Sequence, residues 1–427
     1  MSETQRSGGR TGVAPRLYDL LVQLFGIDPP VRLVGWDGST AGTADGPTVR
    51  VRSRRAVRRL LWAPGELGLV RAYVAGELDI DGDLLTGLRT LADYGTAIGG
   101  RSALGPADRR EVLRTAVLLG AVGPAPKPPD QEQLLRASVH PGARAQAAAE
   151  LPEAGGLDLL EKVLGHTLAY STARWDGDAG AAVALDEAQH RKLDLVCDRM
   201  GLAPGMRMLD LGCGWGPLLL HAVRERGVQA VGLVRSADRA DVVRRRLRDA
   251  GLADRADVRL GDLPGVADGP YDAAAAIESI EHLDETNLVA YAGQVHQILR
   301  PGGRFVMQAL TARPGAGGPG PSFMSAYVVP SGPLPAVGTV VDGVEESGLE
   351  VRLVESWREH YAPTMRAWLA RLDADPNRAS AVLGADRLRV WRLSLALASI
   401  GSERGRIGLH HLVAVRPHAD GRSGMLA

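Results

Sequence analysis

The stretch GMRMLDLGCGWGP, Gly205–Pro217, constrains the fold more than any other part of the chain. An apolar run of strand character ends in Asp210. It then meets Gly212, Gly214 and Gly216 before a helix-forming segment begins. Strand, glycine turn and helix in that order make the first half of a parallel β-α-β unit. The flanking sequence repeats the alternation. Strands are predicted at RMLDLG, QAVGLV, DVRLGD, YDAAAAIES and GRFVMQAL. Helices are predicted at PLLLHAVRERG, ADVVRRRLRDAG and NLVAYAGQVHQILRPGG, the last stopped by Pro301-Gly302-Gly303. This order predicts an α/β fold with a doubly wound, Rossmann-like sheet, its ligand lying beyond the carboxyl ends of the strands.

The glycine spacing narrows the ligand. G-x-G-x-G departs from the dinucleotide fingerprint G-x-G-x-x-G, and no G-K-[ST] follows to cradle a triphosphate. The pattern resembles the loop of class I S-adenosylmethionine-dependent methyltransferases. In that setting Asp210 and the loop Gly212, Cys213, Gly214, Trp215 and Gly216 hold the amino-acid end of the cofactor. Asp262, followed by Leu263, ends the third strand, where a carboxylate can accept from the adenine amino group. The second strand lacks the usual acid for the ribose, which leaves Val234 and Ser236 or the backbone for that task. Glu278, ending the fourth strand, completes the expected cofactor set.

Lys plus Arg equals Asp plus Glu at 50 each, so net charge points to no nucleic-acid partner. Two cysteines, Cys197 and Cys213, support neither a disulfide framework nor a metal site. A reducing, cytoplasmic setting is expected, with no secretory leader and no apolar run of ~18 residues. Residues 1–95 read as a small α+β domain. It comprises a helix closed by Gly26, strands around VRLVGWDGSTAG and TVRVRSR, and helices at AVRRLLW and through LGLVRAYVAGELDIDGDLLTGLRTL. Arg50, Arg52, Arg54, Arg55, Arg58 and Arg59 cluster beside Leu60, Leu61 and Trp62. Two readings stand open for that cluster: a dock for anionic lipid headgroups at the inner membrane face, or a solvated helix face paired with local acids. The domain is also a candidate homodimer contact. Residues 96–156 read as linker and variable helix, and 157–427 as the methyltransferase domain with a lid near 313–335.

Longer stretches carry a family resemblance. LAYSTARWDGDAGAAVALDEAQHRKLDLVCDRMGLAPGMRMLDLGCGWGP, IESIEHLD, GGRFVMQALT, FMSAYVVPSGPLP and WREHYAPTMRAWLARL resemble the cyclopropane-fatty-acid synthases, with the mycolic-acid cyclopropane synthases and 10-methyl(ene) fatty-acid synthases. The likeness runs from about Leu17 to Arg416, and LLWAPGELGLVRAYVAGELDIDGDL resembles the small N-terminal domain of the longer members. It implies a C-methyltransferase that adds a methyl-derived carbon to the double bond of an unsaturated acyl chain, giving a cyclopropane, methylene or methyl-branched product. It also implies a bicarbonate ion as base, in a pocket of Cys, Glu, His and Tyr. Glu281 in IEHL and Tyr361 in HYAPT match that pocket. Thr172 stands at the Cys position and Gln308 at the His position, both able to donate hydrogen bonds to an oxyanion. The family's HYD segment is replaced in LPEAGGLDLLEKVLG, Leu151 to Gly165. These departures leave an alternative: a methyltransferase of the same fold acting on a specialised metabolite without bicarbonate.

Overall fold

The computed structural model describes residues 12–98, 105–130, 132, 156–177, 185–281, 283–315, 323, 326–327 and 334–425. The chain divides into two compact units. One comprises Met1–Leu151, Pro319–Pro330 and Asn377–Ile400; the other comprises Pro152–Gly318, Ser331–Pro376 and Gly401–Ala427.

The first unit is built on a four-stranded sheet of order β2-β1-β3-β4. Its elements are α1 (Val13–Phe25), β1 (Arg32–Val34), β2 (Thr40–Gly42), β3 (Thr48–Val51), α2 (Arg54–Trp62), α3 (Glu66–Val74), β4 (Leu78–Asp81), α4 (Leu84–Ala97) and α5 (Pro106–Leu118). Gly26 ends α1 in the left-handed conformation (φ 71°), its N–H on Val22 O. Ala14, Val31, Leu33, Ala41 and Val49 form the core under α1. The sequence reading ran helix through the stretch where β4 lies. LDID has the period of two that a strand needs, and Arg50 of the paired strand β3 and Arg52 just beyond it meet its acids, Asp81 (2.5 Å) and Asp79 (3.2 Å). Arg55 and Arg59 both reach Glu77 (3.3 and 2.7 Å), and Arg58 donates to the carbonyls of Ala121 and Val122. Four of the six clustered arginines therefore face acidic partners, as in the second reading of that cluster.

The second unit carries a seven-stranded sheet of order β10-β11-β9-β8-β5-β6-β7. Its elements are α6 (Leu157–Leu164), α7 (Leu185–Met200), β5 (Arg207–Leu211), α8 (Pro217–Arg226), β6 (Gln229–Val234), α9 (Ala237–Asp249), β7 (Ala256–Leu260), β8 (Tyr271–Ile277), α10 (Glu285–Ile298), β9 (Leu299–Ala312), α11 (Val337–Glu346), β10 (Glu350–Ser356), α12 (Arg358–Asp373) and β11 (Ile407–Val415). Strands β5 to β9 are parallel, and β11 runs antiparallel between β9 and β10. All five strands read from the sequence are present. Pro301-Gly302-Gly303 lies inside β9, not in a helix stop. Helix α10 already ends at Ile298, and the β8–β9 register shifts between Tyr271 and Ala273 to absorb the irregularity.

Helices α13 (Pro376–Leu383) and α14 (Ala385–Glu403) follow α12. Their residues 377–400 belong with the first unit, although the sequence reading counted them with the catalytic domain. Arg389 explains the attachment: it bonds Asp79 Oδ2 (2.9 Å) and Tyr73 O (3.0 Å), with its guanidinium over the Tyr73 ring.

Side chains alternate along each central strand of the large sheet. One face packs Met208, Ala273, Ala275, Val306 and Val413 against α7, α8 and α9. The other packs Leu209, Ala274, Phe305, Met307 and Leu412 against α10 and α11. Two residues further along, the first face turns polar. Asp210 follows Met208, Gln308 follows Val306, and His411 precedes Val413, all three buried. That change of character marks the site.

Candidate active site

The glycine loop leaves β5 and enters α8 with Gly212, Gly214 and Gly216 all at positive φ (86°, 57° and 79°). Two of these glycines are required by packing. A Cβ on Gly212 would lie 2.7 Å from Ser279 Cβ, and one on Gly216 would lie 2.7 Å from Val243 Cγ1. Gly214 faces open space, so a ligand can reach its backbone. Cys213 N–H donates to Leu233 O (2.9 Å), which pins the loop to β6. Pro217 opens α8 directly after the loop, so the first-turn N–H groups of the helix lie beside it.

Asp210 is buried, and its Oδ2 has no hydrogen-bond partner. Burial pushes its carboxyl up to about 7, against the pull of the Lys192 ammonium. Lys192 is itself buried on α7; its Nζ donates to Ser171 Oγ (2.8 Å), and burial lowers it to about 8. An orphaned carboxylate oxygen beside an open glycine backbone fits an ammonium-bearing amino-acid group, as S-adenosylmethionine presents.

The wall beyond Asp210 is strapped in place by the segment Ala169–Trp175. Gln189 of α7 donates to Ser171 O (2.8 Å), and Ala173 N–H and Trp175 Nε1 both donate to Thr364 Oγ1 (3.2 and 2.9 Å). Arg246 bonds the carbonyls of Trp215, His166 and Thr167, which ties the glycine loop to the stretch that follows α6. Within this frame the structure gathers Thr172, Glu278, Gln308 and Glu281. Glu278 Oε1 accepts from Thr172 N–H (2.7 Å) and from Gln308 Nε2 (2.6 Å), and Gln308 Nε2 also reaches Thr172 O (3.3 Å). Glu278 holds φ 49°, a cost borne at a residue that is not glycine. Burial raises its carboxyl, offset by these hydrogen bonds. Burial and the charge of Glu278 push Glu281 up to about 7, although Leu310 N–H donates to its Oε1 (3.2 Å). Asp284, not Glu281, caps α10, through Asn287 N–H (2.8 Å).

The hydrogen bonds of Gln308 are one-sided. Both directions of its amide NH₂ are committed to acceptors, so only Oε1 is left, buried and without a partner. Because Oε1 only accepts, a bicarbonate ion at this atom would have to present its O–H rather than an oxyanion oxygen.

Tyr361, in the first turn of α12, is buried. Burial raises its hydroxyl, with Glu278, Tyr170 and Glu281 adding to the effect. Tyr170 stacks on Trp368 (5.3 Å) and meets Trp215 edge-on (6.4 Å). It keeps 47% of its surface accessible, yet burial pushes its hydroxyl up to about 12. Tyr170, Tyr361, Trp215 and Trp368 thus gather beside Glu278 and Glu281.

The remaining expected cofactor residues lie at the neighbouring strand ends. Val234 is buried at the end of β6, and its carbonyl accepts from Gly261 N–H (2.8 Å). Ser236 caps α9 by accepting from Arg239 N–H (3.3 Å). Leu263 is buried, whereas the Asp262 side chain is 65% exposed, 3.8 Å from Arg235. Arg239 covers the Trp215 ring at 4.7 Å, a neighbour that the sequence reading did not single out. Of the expected lid at 313–335, residues 316–322, 324–325 and 328–333 lie outside the described residues. Of the HYD replacement, residues 151–155 do so as well, and α6 occupies most of the rest. Among the described residues no cluster of metal ligands occurs, and no helix is long and apolar enough to cross a membrane.

The fold and this site define a class I S-adenosylmethionine-dependent methyltransferase. The profile of the mycolic acid cyclopropane synthetase family matches residues 155–412. A probable fatty acid methyltransferase of Mycobacterium tuberculosis is 32% identical over 406 residues, covering 91% of each chain. A tuberculostearic acid methyltransferase of the same organism is 29% identical, covering 91% of this chain and 88% of the relative. The crystal structure of a mycolic acid cyclopropane synthase complexed with SAH and CTAB superposes with a TM-score of 0.57 at 26% identity, over 62% of this chain and 97% of that one. The chain belongs to the mycolic acid cyclopropane synthetase family.

Proposed function

We propose that this chain adds a methyl-derived carbon to the double bond of an unsaturated acyl chain. The observation that carries this reading is the gathering of Tyr170 and Tyr361 beside the buried carboxyls Glu278 and Glu281, next to the glycine loop. S-adenosylmethionine, when bound, supplies an electrophilic methyl group. The protein's residues do the rest. An alkene is a weak nucleophile, so orientation in a water-poor cavity has to supply much of the rate. The aromatic faces and the paired carboxyls Glu278 and Glu281 suit the positive charge left on the acyl carbon. Asp210, Lys192 and Glu278 fix the polar end of the site. Relatives named as fatty acid methyltransferase and cyclopropane synthase support the acyl acceptor.

The fatty acids of a host expressing the chain provide the test. Monounsaturated chains that gain one carbon as cyclopropane, methylene or methyl branch are expected. An unchanged profile from cells that contain folded, cofactor-binding protein would overturn the acyl reading and favour a different acceptor.

A further inference from the structure

Helix α5 of the first unit exposes the residues that a helix ordinarily buries. Its buried residues are Thr115 and Ala116, whereas Leu113, Val117 and Leu118 are each more than half exposed. Positions 110, 113, 114, 117 and 118 share one helical face, so these apolar side chains form a strip with Arg110 and Arg114. A surface helix normally lays its large apolar side chains on the core instead. The chain beyond α5 extends the strip. Val122 is half exposed, and Trp62 at the end of α2 is 61% exposed while its Nε1 donates to Gly123 O (2.9 Å). Five of the twelve large apolar residues that are exposed among the described residues thus belong to one surface of one unit.

Arginines border this strip. Of the six clustered between residues 50 and 59, Arg50, Arg52, Arg55 and Arg59 meet acids. Arg54 and Arg58 reach toward the strip instead. Arg54 Nη1 lies 3.7 Å from where a Cβ on Gly120 would be, and Arg58 donates to Ala121 O and Val122 O (3.2 Å each). Arg16 of α1 donates to Leu118 O (3.2 Å). Among the described residues no carboxylate pairs with Arg16, Arg54, Arg58 or Arg110. A carbonyl fixes a guanidinium in place without cancelling its charge. The two acids of α5 are already engaged: Asp108 Oδ2 accepts from Gly105 N–H (3.0 Å), and Glu111 accepts from Arg114 (3.4 Å). The surface is therefore apolar along its middle and positive at its edge.

We propose that the exposed face of α5, with Trp62 and the arginines Arg16, Arg54 and Arg58, docks the protein on a lipid bilayer that bears anionic headgroups. An apolar strip with a tryptophan at its end suits the boundary between headgroups and acyl chains. Guanidiniums without acidic partners suit the phosphate oxygens above that boundary. A second copy of the chain fits this face less well, because a two-fold contact through it would bring two arginine borders together. The cluster read from the sequence thus divides by function: four arginines hold the fold of the first unit, and the two beside α5 join the docking face. The inference goes beyond the acyl reading, since it concerns a surface that carries no residue of the candidate active site.

Sedimentation of the full chain with vesicles tests this, using phosphatidylcholine alone and phosphatidylcholine mixed with phosphatidylglycerol. The wild type is expected to sediment with the anionic vesicles, to stay in solution with the neutral ones, and to bind less as salt rises. Leu113→Ser with Val117→Ser removes the middle of the strip, and Arg54→Glu with Arg110→Glu reverses its border. Each pair is expected to weaken binding about tenfold or more, with the melting temperature and the affinity for S-adenosylmethionine unchanged. Arg245→Glu with Arg248→Glu, two exposed positions on α9 of the other unit, changes net charge equally and is expected to leave vesicle binding as in the wild type. A wild-type chain that ignores anionic vesicles overturns the inference, and so does binding that the α5 pairs leave intact or that the α9 pair weakens as much. A dimer in light scattering that Leu113→Ser with Val117→Ser makes monomeric, without vesicle binding, gives the face to a second copy instead. None of these readouts needs product, so the vesicle result stands whether or not the acyl reading does.

Discussion

Buried charge is handled in opposite ways in the two units. In the first unit Arg59 and Glu77 are both buried and fully engaged. Arg59 Nε and Nη2 reach the two oxygens of Glu77 at 2.7 and 3.1 Å, and Nη1 reaches Lys127 O at 2.8 Å. Glu132, also buried, is held by Arg71 (2.6 Å) and the Tyr327 hydroxyl (3.0 Å). In the second unit Asp210 Oδ2, Gln308 Oε1 and both nitrogens of His411 are buried and unpaired. A closed network specifies one packing and leaves nothing for a ligand. Open valences in a rigid frame cost stability and are the signature of a site that something else completes. Paired charge therefore marks architecture in this molecule, and orphaned polarity marks chemistry.

The largest test of that contrast is Glu77→Ala. Removing one member of a buried ion pair leaves Arg59 uncompensated, and a loss of about 3–5 kcal/mol is expected in denaturant unfolding. Affinity for S-adenosylmethionine in the protein that remains folded is expected to be unchanged. A loss of affinity without a loss of stability would reverse the roles assigned to the two regions. Next in size is Asp210→Asn. It removes a charge-assisted contact to the cofactor, for which roughly 1.5–3 kcal/mol, or about 10–100-fold in Kd by calorimetry, is expected. The ligand-free protein should melt no lower than wild type, because Oδ2 has no hydrogen-bond partner and burial opposes the charge that is lost. A lower melting temperature with intact binding would place Asp210 in the architecture.

Much of this arrangement is legible in the residues, and the exceptions share a cause. The five parallel strands and the glycine loop announce themselves because buried strands are continuous apolar runs and the loop has a fixed spacing. Strand β10 escapes notice because EVRLVES is largely exposed and carries charges on both faces. Strand β4 escapes because its four residues are short enough to be absorbed into the helical pattern on either side. Lys192 could have been found. On α7 the buried positions Leu185, Ala188, Gln189, Lys192, Leu193 and Val196 follow helical spacing, and a lysine and a glutamine in that row have no place in an ordinary core. His411 could not. In IGLHHLVAV one histidine faces each side, and only the register with β9 decides that His410 meets Thr311 while His411 joins Gln308. Sequence patterns give the face of an element; the pairing between distant elements gives the site. The same limit explains Gln308, whose residue type suggested a donor to an anion and whose geometry leaves it an acceptor.

The smallest expected effect is also the one that separates an open site from an open defect. Glu281 has its carboxyl pushed up to about 7 from an ordinary 4.5, first by burial and then by Glu278. A carboxyl raised on folding binds its proton more tightly in the native state than in the unfolded chain. Between about pH 4.5 and 7 the native state therefore holds more protons, and stability falls as pH rises through that window. Above about 7 both states are ionised and the penalty is constant. Glu281→Gln removes the titration. The variant is expected to gain on the wild type as pH goes from 5 to 8, by about 1–2 kcal/mol in chemical unfolding of the ligand-free protein. A gap that stays flat across that range would mean the Glu281 carboxyl is solvated, and the water-poor cavity on which the acyl chemistry depends would lose its support. A gap that opens as expected, together with a loss of product in the same variant, would show a residue kept at a cost to the fold for the sake of the reaction.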